Sequence, residues 1–166
     1  MRISLPGCGT GESHNLCACG GGDIPALLPL LKALWPHETE EELSRTLSGY
    51  TGSGERAVFA EKRSGRLIGA ALCCLRHDYV EGCETSPVGY LEGLFVEEAW
   101  RRQGIGRRLT AACEDWAREK GCSEFASDCE LENAASLAFH LGSGFREENR
   151  IICFRKTLTE RPEERG

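Results

Sequence analysis

The chain reads Tyr90-Leu-Glu-Gly-Leu-Phe-Val-Glu-Glu-Ala-Trp-Arg-Arg-Gln-Gly-Ile-Gly-Arg-Arg-Leu109 at its most informative point. The apolar residues of 90–96 predict a buried strand, and apolar residues recur at helical spacing from Ile105 onward. Between them, Gly104 and Gly106 allow the backbone to approach a ligand closely. The first N–H groups of a helix have no partner within the helix and lie at the positive end of its dipole. The stretch therefore predicts an anion site where the helix begins.

The loop before this helix is strongly basic, which favours a pyrophosphate over a smaller anion. An ordinary glycine turn next to a solvated basic helix end is the alternative. A dinucleotide site would require G-x-G-x-x-G, and Leu109 stands where the third glycine should be, although Asp128 lies about where a ribose-binding acid would fall. The other pattern is Arg-x-x-Gly-x-Gly, from Arg101 to Gly106. The arginines of this region are Arg101, Arg102, Arg107 and Arg108.

Length and composition limit the classes of protein to consider. With 166 residues, the chain is long enough for one domain with a hydrophobic core. It has no apolar run of membrane-spanning length and no signal-peptide pattern, so we expect a cytoplasmic protein that is not bound to a membrane. Its net charge of −6 argues against general nucleic-acid binding.

The charged residues are unevenly distributed along the chain. Residues 78–100 and 121–145 contain acidic residues but no lysine or arginine, and the basic loop lies between them. Neighbouring fields of opposite sign suit an enzyme that binds one anionic and one cationic ligand. A normal solvated surface is the alternative interpretation.

The ten cysteines do not form paired C-x-x-C motifs. Cys8, His14, Cys17 and Cys19 could in principle supply four metal ligands, but their spacing fits no common zinc pattern. We therefore expect no metal, and reduced thiols in a glycine-rich N-terminal extension.

The hydrophobic patterns predict an α/β fold, in which a mixed sheet has helices on both faces. We divide the chain into an N-terminal extension (1–21), one folded domain (22–158) and a charged C-terminal tail (159–166). A capping box at Thr39 and Glu42 marks the start of the second helix. The predicted helices span about 23–34, 40–47, 105–120 and 134–141, and the predicted strands span 57–61, 67–75, 88–96, 124–128 and 150–158.

The pattern from Arg101 to Gly106 resembles the acyl-CoA pyrophosphate loop of the GCN5-related N-acetyltransferases (GNAT). In that family a further strand and a helix headed by Asn follow, and the helix leads into Gly-Phe. Here the corresponding segments are 123–128, 133–141 and Gly144-Phe145, and the resemblance covers about residues 22–158. Six further segments are similar to the motif set of aminoglycoside 6′-N-acetyltransferases: Leu34-Trp-Pro-His37, Arg76-His-Asp-Tyr-Val-Glu-Gly-Cys83, Ser86-Pro-Val88, Leu91-Glu-Gly-Leu-Phe-Val96, Ala126-Ser-Asp128 and Glu132-Asn133.

The resemblance implies a GNAT fold, whose mostly antiparallel sheet has two splayed central strands, and acetyl-CoA as the cosubstrate. The pantetheine arm would pair with the edge of the strand 90–96, where Gly93 marks a bulge. A backbone N–H near Leu94 would polarise the thioester carbonyl. The cofactor-binding residues that the resemblance implies are Leu94, Phe95, Val96, Arg101, Arg102, Gln103, Gly104, Ile105, Gly106, Arg107, Asn133 and His140.

Two carboxylates are the candidates for the chemistry on the amine. Glu92 lies in the middle of an apolar strand, where a charged group is rare unless it is paired or functional, so it is the first candidate for a base or a cation holder. A Glu92 side chain that points to solvent is the alternative. Asp128 ends the next strand, where α/β folds place ligand contacts, and a helix-capping or turn aspartate is the alternative. With these two, the resemblance implies Trp35, His37 and Tyr79 as substrate-binding residues.

The sequence departs from the superfamily at one position. His140 stands where many members have a Tyr that protonates the departing thiolate. It could donate a proton to sulfur, or it could be a core histidine.

The function that we expect is acetyl transfer from acetyl-CoA to the 6′-amine of a polycationic aminoglycoside. Acetylation of another amine, such as a polyamine or a protein N-terminus, and a non-catalytic acyl-CoA-binding regulator remain alternatives. The resemblance also implies a homodimer.

Overall fold

The computed structural model describes residues 15–158. Five strands in this part of the chain form one sheet in the order β1-β2-β3-β4-β5. The strands are β1 (Asn15–Ala18), β2 (Arg56–Arg63), β3 (Arg66–Arg76), β4 (Val88–Val96) and β5 (Phe125–Ser127). The pairs from β1 to β4 are antiparallel and the pair β4–β5 is parallel. The predicted mixed, mostly antiparallel sheet is confirmed. Cys8, His14 and the C-terminal tail lie outside the described residues.

The four helices are α1 (Ile24–Leu34), α2 (Glu40–Thr51), α3 (Ile105–Glu119) and α4 (Ala134–Gly142). The capping box at the start of α2 is present, with the Glu42 N–H donating to the Thr39 hydroxyl and the Thr39 N–H to the Glu42 carboxylate. Helix α1 continues past Pro29, and α2 extends beyond its predicted end at about residue 47. None of the described helices is both long and apolar enough to cross a membrane.

Helices cover both faces of the sheet, as predicted. Leucines of α1 and α2, such as Leu31 and Leu47, pack with Leu72 of β3 in one buried cluster. On the other face, Leu109 of α3 packs with Phe59 and Ile68 of the sheet. The periodic apolar side of α3 is therefore buried, and its first turn is fixed against the sheet.

Strands β4 and β5 pair only over Gly89–Leu91 and then separate. In the same place, Leu91 and Gly93 face consecutive residues of β3, so Glu92 is an extra residue that forms a bulge. The predicted splay and bulge are confirmed. They leave the second half of β4 unpaired on its β5 side within the described chain.

The two ends of the described chain differ from the prediction. Residues 15–18, which the sequence analysis placed in the N-terminal extension, form β1 and pair with β2. The predicted strand over residues 150–158 was wrong, since this segment has no regular secondary structure. Its apolar pattern is typical of a strand, but a strand needs a hydrogen-bonded neighbour. Ile152 and Phe154 are instead 79% and 92% exposed.

Candidate active site

The N-terminus of α3 is open. Gly104 occupies the N-cap position with a φ of 75°, and no side chain of residues 15–158 caps the helix with a hydrogen bond. A left-handed φ is easily adopted by glycine, but it is unusual for Arg102, whose φ is 60°. The loop is therefore bent sharply just before the helix. Its unpaired N–H groups and the helix dipole favour an anion at this point.

Three of the four arginines in and after the loop bind other parts of the protein. The Arg101 Nε donates to the Val96 carbonyl (2.9 Å), and an Arg107 Nη2 donates to the Gly142 carbonyl (2.7 Å). Arg108 forms an ion pair with Glu61 of β2 at 2.8 Å. The cradle for an anion is therefore formed mainly by backbone, with Arg108 below the loop.

The approach of a ligand at Gly106 stays a prediction, and this residue also has a close neighbour within the protein. A Cβ on this residue would lie 2.9 Å from the Phe139 ring of α4, so the missing side chain allows α3 and α4 to pack together. The neighbouring Ile105 is only 1% exposed. It can contribute its N–H to a ligand, but its side chain belongs to the core.

Gly93 is required by the packing at the bulge of β4. A Cβ there would lie 2.8 Å from the Leu34 side chain and 3.0 Å from the Trp35 ring. The glycine therefore lets the C-terminal end of α1 and Trp35 lie directly over the strand. Leu94, Phe95 and Val96 follow on the open part of β4, where their backbone is accessible from the β5 side.

Glu92 has an ion-pair partner, Arg76, that is distant from it in the sequence. Its Oε1 accepts from the Arg76 Nη2 at 2.8 Å and Nε at 3.2 Å, and from the Cys74 thiol at 3.0 Å. Burial, followed by this thiol contact, raises the pKa of Cys74 to about 12. All the hydrogen bonds that described residues make to Glu92 go to Oε1, which leaves Oε2 to bind a ligand.

Asp128 is joined to Glu92 through two intermediate side chains. The Tyr90 hydroxyl donates to Asp128 Oδ1, and the Arg76 guanidinium carbon lies 3.2 Å from the centroid of the Tyr90 ring. Burial raises the pKa of Tyr90 above its ordinary value, and the hydrogen bond to Asp128 acts in the same direction. Tyr90 therefore remains a neutral donor. The result is a continuous network of Glu92, Arg76, Tyr90 and Asp128, which we call the carboxylate network.

Sequence reasoning missed Tyr90 and Arg76 as members of this site. A signal for Tyr90 was present, because it lies two residues before Glu92 in the same strand. Arg76 begins one of the segments that resemble the family, but nothing in the sequence pairs it with Glu92. It ends β3, and only the antiparallel pairing of β3 with β4 brings it beside Glu92.

His140 connects α4 to β5. Its Nδ1 lies 2.7 Å from the Ser136 carbonyl, which can only accept, so Nδ1 carries a proton. Its Nε2 lies 2.9 Å from the Ser127 hydroxyl. Since protein groups occupy both ring nitrogens, the geometry favours a structural role. Asn133 caps α4, with its side-chain oxygen accepting from the Ser136 N–H (3.0 Å).

Of the three residues that the resemblance implies for substrate binding, Trp35 lies beside the bulge of β4, whereas His37 and Tyr79 are exposed. The Trp35 ring lies over β4 at Gly93, close to the bulge. Tyr79 is 80% exposed and donates to Glu81, and His37 is exposed in the turn after α1. Within residues 15–158, no hydrogen bond joins His37 or Tyr79 to the carboxylate network. No cluster of His, Cys, Asp or Glu in this part of the chain could hold a metal ion.

Known proteins are similar to this chain in sequence and in fold. A model of the acetyltransferase (GNAT) family matches residues 24–145. An aminoglycoside N(6′)-acetyltransferase type 1 from Serratia marcescens is 40% identical over 141 residues, which cover 84% of this chain and 97% of the relative. A protein of the same name from Stenotrophomonas maltophilia is 41% identical over 138 residues, covering 82% and 88%.

Solved structures agree with these relatives. The aminoglycoside N-acetyltransferase AAC(6′)-Iy in complex with CoA is similar with a TM-score of 0.87 and 34% identity, covering 90% of this chain and 98% of that chain. AAC(6′)-Iy has also been solved with the bisubstrate analogue CoA-S-monomethyl-acetylneamine, and that structure gives a TM-score of 0.86.

Proposed function

This chain belongs to the acetyltransferase (GNAT) family, and we propose that it transfers the acetyl group of acetyl-CoA to the 6′-amine of aminoglycosides. The observation that carries the proposal is the carboxylate network at the bulge of β4. It places two acids, Glu92 and Asp128, where β4 separates from β5. The relatives named as 6′-acetyltransferases and the structure with an aminoglycoside analogue support the choice of acceptor.

The residues around α3 fit acetyl-CoA. The uncapped helix N-terminus at Gly104 offers backbone donors to a pyrophosphate, and the unpaired edge of β4 offers donors and acceptors to an extended amide-containing arm. Acetyl-CoA supplies an acetyl group that is activated as a thioester. A backbone N–H near Leu94 would polarise its carbonyl, since charge develops on that oxygen during transfer.

The carboxylate network has two tasks in this proposal. The amines of an aminoglycoside are protonated near neutral pH, as lysine is, so a carboxylate must hold the cation and one proton must leave before the nitrogen can attack. Glu92 Oε2 performs this role directly or through a water molecule, because Arg76 already occupies Oε1. Asp128 binds a second amine of the same substrate, and Tyr90 holds its carboxylate in place. Trp35 offers an apolar face to the sugar rings.

A thiol-release assay with acetyl-CoA and a panel of amines tests the proposal. We expect turnover with aminoglycosides that carry a 6′-amine, and none with analogues that carry a 6′-hydroxyl instead. Equal turnover of polyamines or peptides would contradict the choice of acceptor. Binding of acetyl-CoA without turnover of any amine would contradict an enzymatic function.

We also propose that the enzyme acts in the cytoplasm. All the cysteines that the structure describes are free thiols, including Cys83 and the exposed Cys153. Reduced thiols at partly exposed positions are typical of a reducing compartment. Detection of the protein in the soluble fraction of cells, with its thiols reduced, would agree with this location, and a periplasmic fraction would contradict it.

The assembly that we propose is a homodimer in which residues 150–158 of one copy extend the sheet of the other. The segment has the apolar pattern of a strand, and among described residues no hydrogen bond joins residues 151–158 to the rest of the chain. Strand β5 has a neighbour on one side only in the described sheet. Each copy of the chain therefore has an unpaired sheet edge and a segment with the pattern of a strand. Two copies can pair by placing the segment of each one on the sheet edge of the other, which gives a symmetric dimer.

The mass in solution tests this assembly. We expect a dimer by light scattering, and a shift toward monomer for Phe154→Asp, which places a charge on the apolar strand. Lys156→Glu in the same segment is the matched control and should remain dimeric. A monomeric wild-type protein would overturn the proposal, and slow hydrogen exchange in residues 151–158 of that monomer would show that the segment pairs with its own sheet.

A further inference from the structure

Glu61 is a buried carboxylate that the proposed chemistry does not use. It lies in β2, on the opposite side of β3 from the carboxylate network, and is 0% exposed. Burial of a carboxylate is costly unless cationic partners replace its hydration. Its partners therefore indicate what the charge does in this fold.

The main partner of Glu61 is Arg108, in the first turn of α3. The Arg108 Nη2 donates to Glu61 Oε1 at 2.8 Å, and its Nε lies 3.4 Å from Oε2. The remaining nitrogen, Nη1, donates to the Gln103 carbonyl at 3.2 Å. One planar guanidinium therefore binds the buried carboxylate with one edge and the loop before α3 with the other.

A second arginine of β2 extends this cluster toward the start of the loop. The Arg63 Nε lies 4.0 Å from Glu61 Oε1, and its guanidinium carbon lies 5.4 Å from the centroid of the Trp100 ring. Trp100 immediately precedes the loop. Glu61 is thus connected to both sides of the bend that contains Arg102.

The hydrogen bond from Arg108 to the Gln103 carbonyl sets the direction of the Gly104 N–H group. In a planar trans peptide, the C=O of one residue and the N–H of the following residue point in opposite directions. When Arg108 holds the Gln103 carbonyl, the Gly104 N–H is directed away from Arg108. The loop needs such support at Arg102, because a left-handed φ of 60° costs energy for a residue other than glycine.

We propose that Glu61 is a positioning residue for acetyl-CoA: through Arg108, it orients the Gln103–Gly104 peptide so that the Gly104 N–H faces the pyrophosphate. The inference rests on the proposed use of acetyl-CoA by this site. Glu61 itself does not touch the ligand. The ion pair acts on cofactor binding and leaves the carboxylate network unchanged.

Two substitutions separate this role from a purely structural one. Glu61→Gln keeps the size of the side chain and removes its charge, and Arg108→Lys keeps the positive charge but loses the planar fork. We expect each to weaken CoA binding about tenfold, in line with the loss of one charge-assisted hydrogen bond. The value of kcat and the aminoglycoside KM should change by less than about twofold, since the interaction acts on cofactor binding alone.

Asp115→Asn is the matched control, because it removes an ion pair with Arg118 on the same helix, away from the loop. It should bind CoA like the wild type. The double variant Glu61→Gln/Arg108→Lys should bind CoA no more weakly than Arg108→Lys alone, because the two residues act through one contact. Calorimetry with CoA and thermal unfolding without CoA are the two measurements.

A folded Glu61→Gln variant with wild-type CoA affinity would overturn the inference, and so would an equal loss of affinity in Asp115→Asn. If Glu61→Gln does not fold, a folded Arg108→Lys variant with wild-type CoA affinity would overturn the inference in its place. If the wild-type protein itself does not bind CoA, the proposed function fails first. The failures of the two proposals are therefore distinguishable.

Discussion

The molecule consists of two regions that differ in how well their apolar side chains are buried. In the core region, residues 15–119, Leu27, Leu31, Leu72 and Leu109 are fully buried between helices and sheet. In the C-terminal region, residues 125–158, neither β5 nor α4 has a fully buried residue. Several large apolar side chains are exposed there: Leu131, Leu141, Ile151, Ile152, Phe154 and Leu158.

This difference matters because the proposed site lies on the border between the regions. The core region supplies Glu92, Arg76 and the loop before α3, whereas the C-terminal region supplies Asp128. Local stability follows the number of buried apolar contacts. We therefore expect the core region to hold the reacting groups rigidly, and the C-terminal region to be completed by ligands or by a second copy of the chain.

The largest expected effect concerns stability. Leu109→Ala should lower the free energy of unfolding by about 3 kcal/mol, because it leaves a cavity between α3 and the sheet. Leu141→Ala, at a side chain that is 51% exposed, should cost less than about 1 kcal/mol. Urea denaturation measures both. Equal losses for the two variants would show that the two regions contribute equally to stability, which would contradict the difference inferred from their burial.

The next effect concerns turnover. Glu92→Gln removes the charge and the basic oxygen, so kcat should fall by about 100-fold, which is within the usual range for general-base catalysis. Acetyl-CoA affinity should be unchanged, since the loop before α3 is untouched. Glu98→Gln, at an exposed carboxylate after β4, is the matched control. A rise of the aminoglycoside KM with normal kcat would assign Glu92 to cation binding alone.

A smaller effect is expected at the hydrogen bond that joins the two regions. Tyr90→Phe removes the hydroxyl that binds Asp128 and should raise the aminoglycoside KM by about fivefold to tenfold, as expected for loss of a hydrogen bond to a charged group. Because the pKa of Tyr90 is raised above its ordinary value of 10.0, the hydroxyl stays protonated well into the alkaline range. The ratio of mutant to wild-type KM should therefore be the same at about pH 7 and about pH 9. A ratio that approaches one at the higher pH would contradict the role of the hydroxyl as a donor.

The smallest effect is expected from salt. The carboxylates at the border of the two regions should attract a polycationic acceptor, and added salt screens this attraction over about 10 Å at 0.1 M. The kcat/KM for an aminoglycoside with several amines should fall severalfold as salt is raised. An acceptor with a single amine should respond less. If both respond equally, the field of the acidic groups does not contribute to acceptor binding.

The sequence predicted the elements whose pattern is local. Periodic apolar residues and the capping box were sufficient for the helices, and the glycine at residue 93 indicated the bulge that the structure has. The order of strand, loop and helix from residue 90 to 109 indicated the open N-terminus of α3. Its resemblance to the acetyltransferases indicated the family, which the match over residues 24–145 confirms.

The prediction was wrong where an element depends on its neighbours. Residues 150–158 have the apolar pattern of a strand, but they have no partner strand within the described chain and remain exposed. Conversely, the short segment Asn15–Ala18, which lies in a glycine-rich part of the chain, gave no strand signal and is held by pairing with β2. A strand is stabilised by its neighbour's hydrogen bonds, so its own residues do not decide whether it forms.

The sequence by itself determined the family, the order of the main elements and the presence of Glu92 in the middle of one strand and of Asp128 at the end of the next. Only the tertiary structure decided what these groups touch. The pairing of β3 with β4 brings Arg76 to Glu92, and the packing of α3 on the sheet brings Arg108 to Glu61. The physical reason is that a charged side chain finds its partner by proximity in space, and residues 16 and 47 positions apart become neighbours only after the sheet has formed.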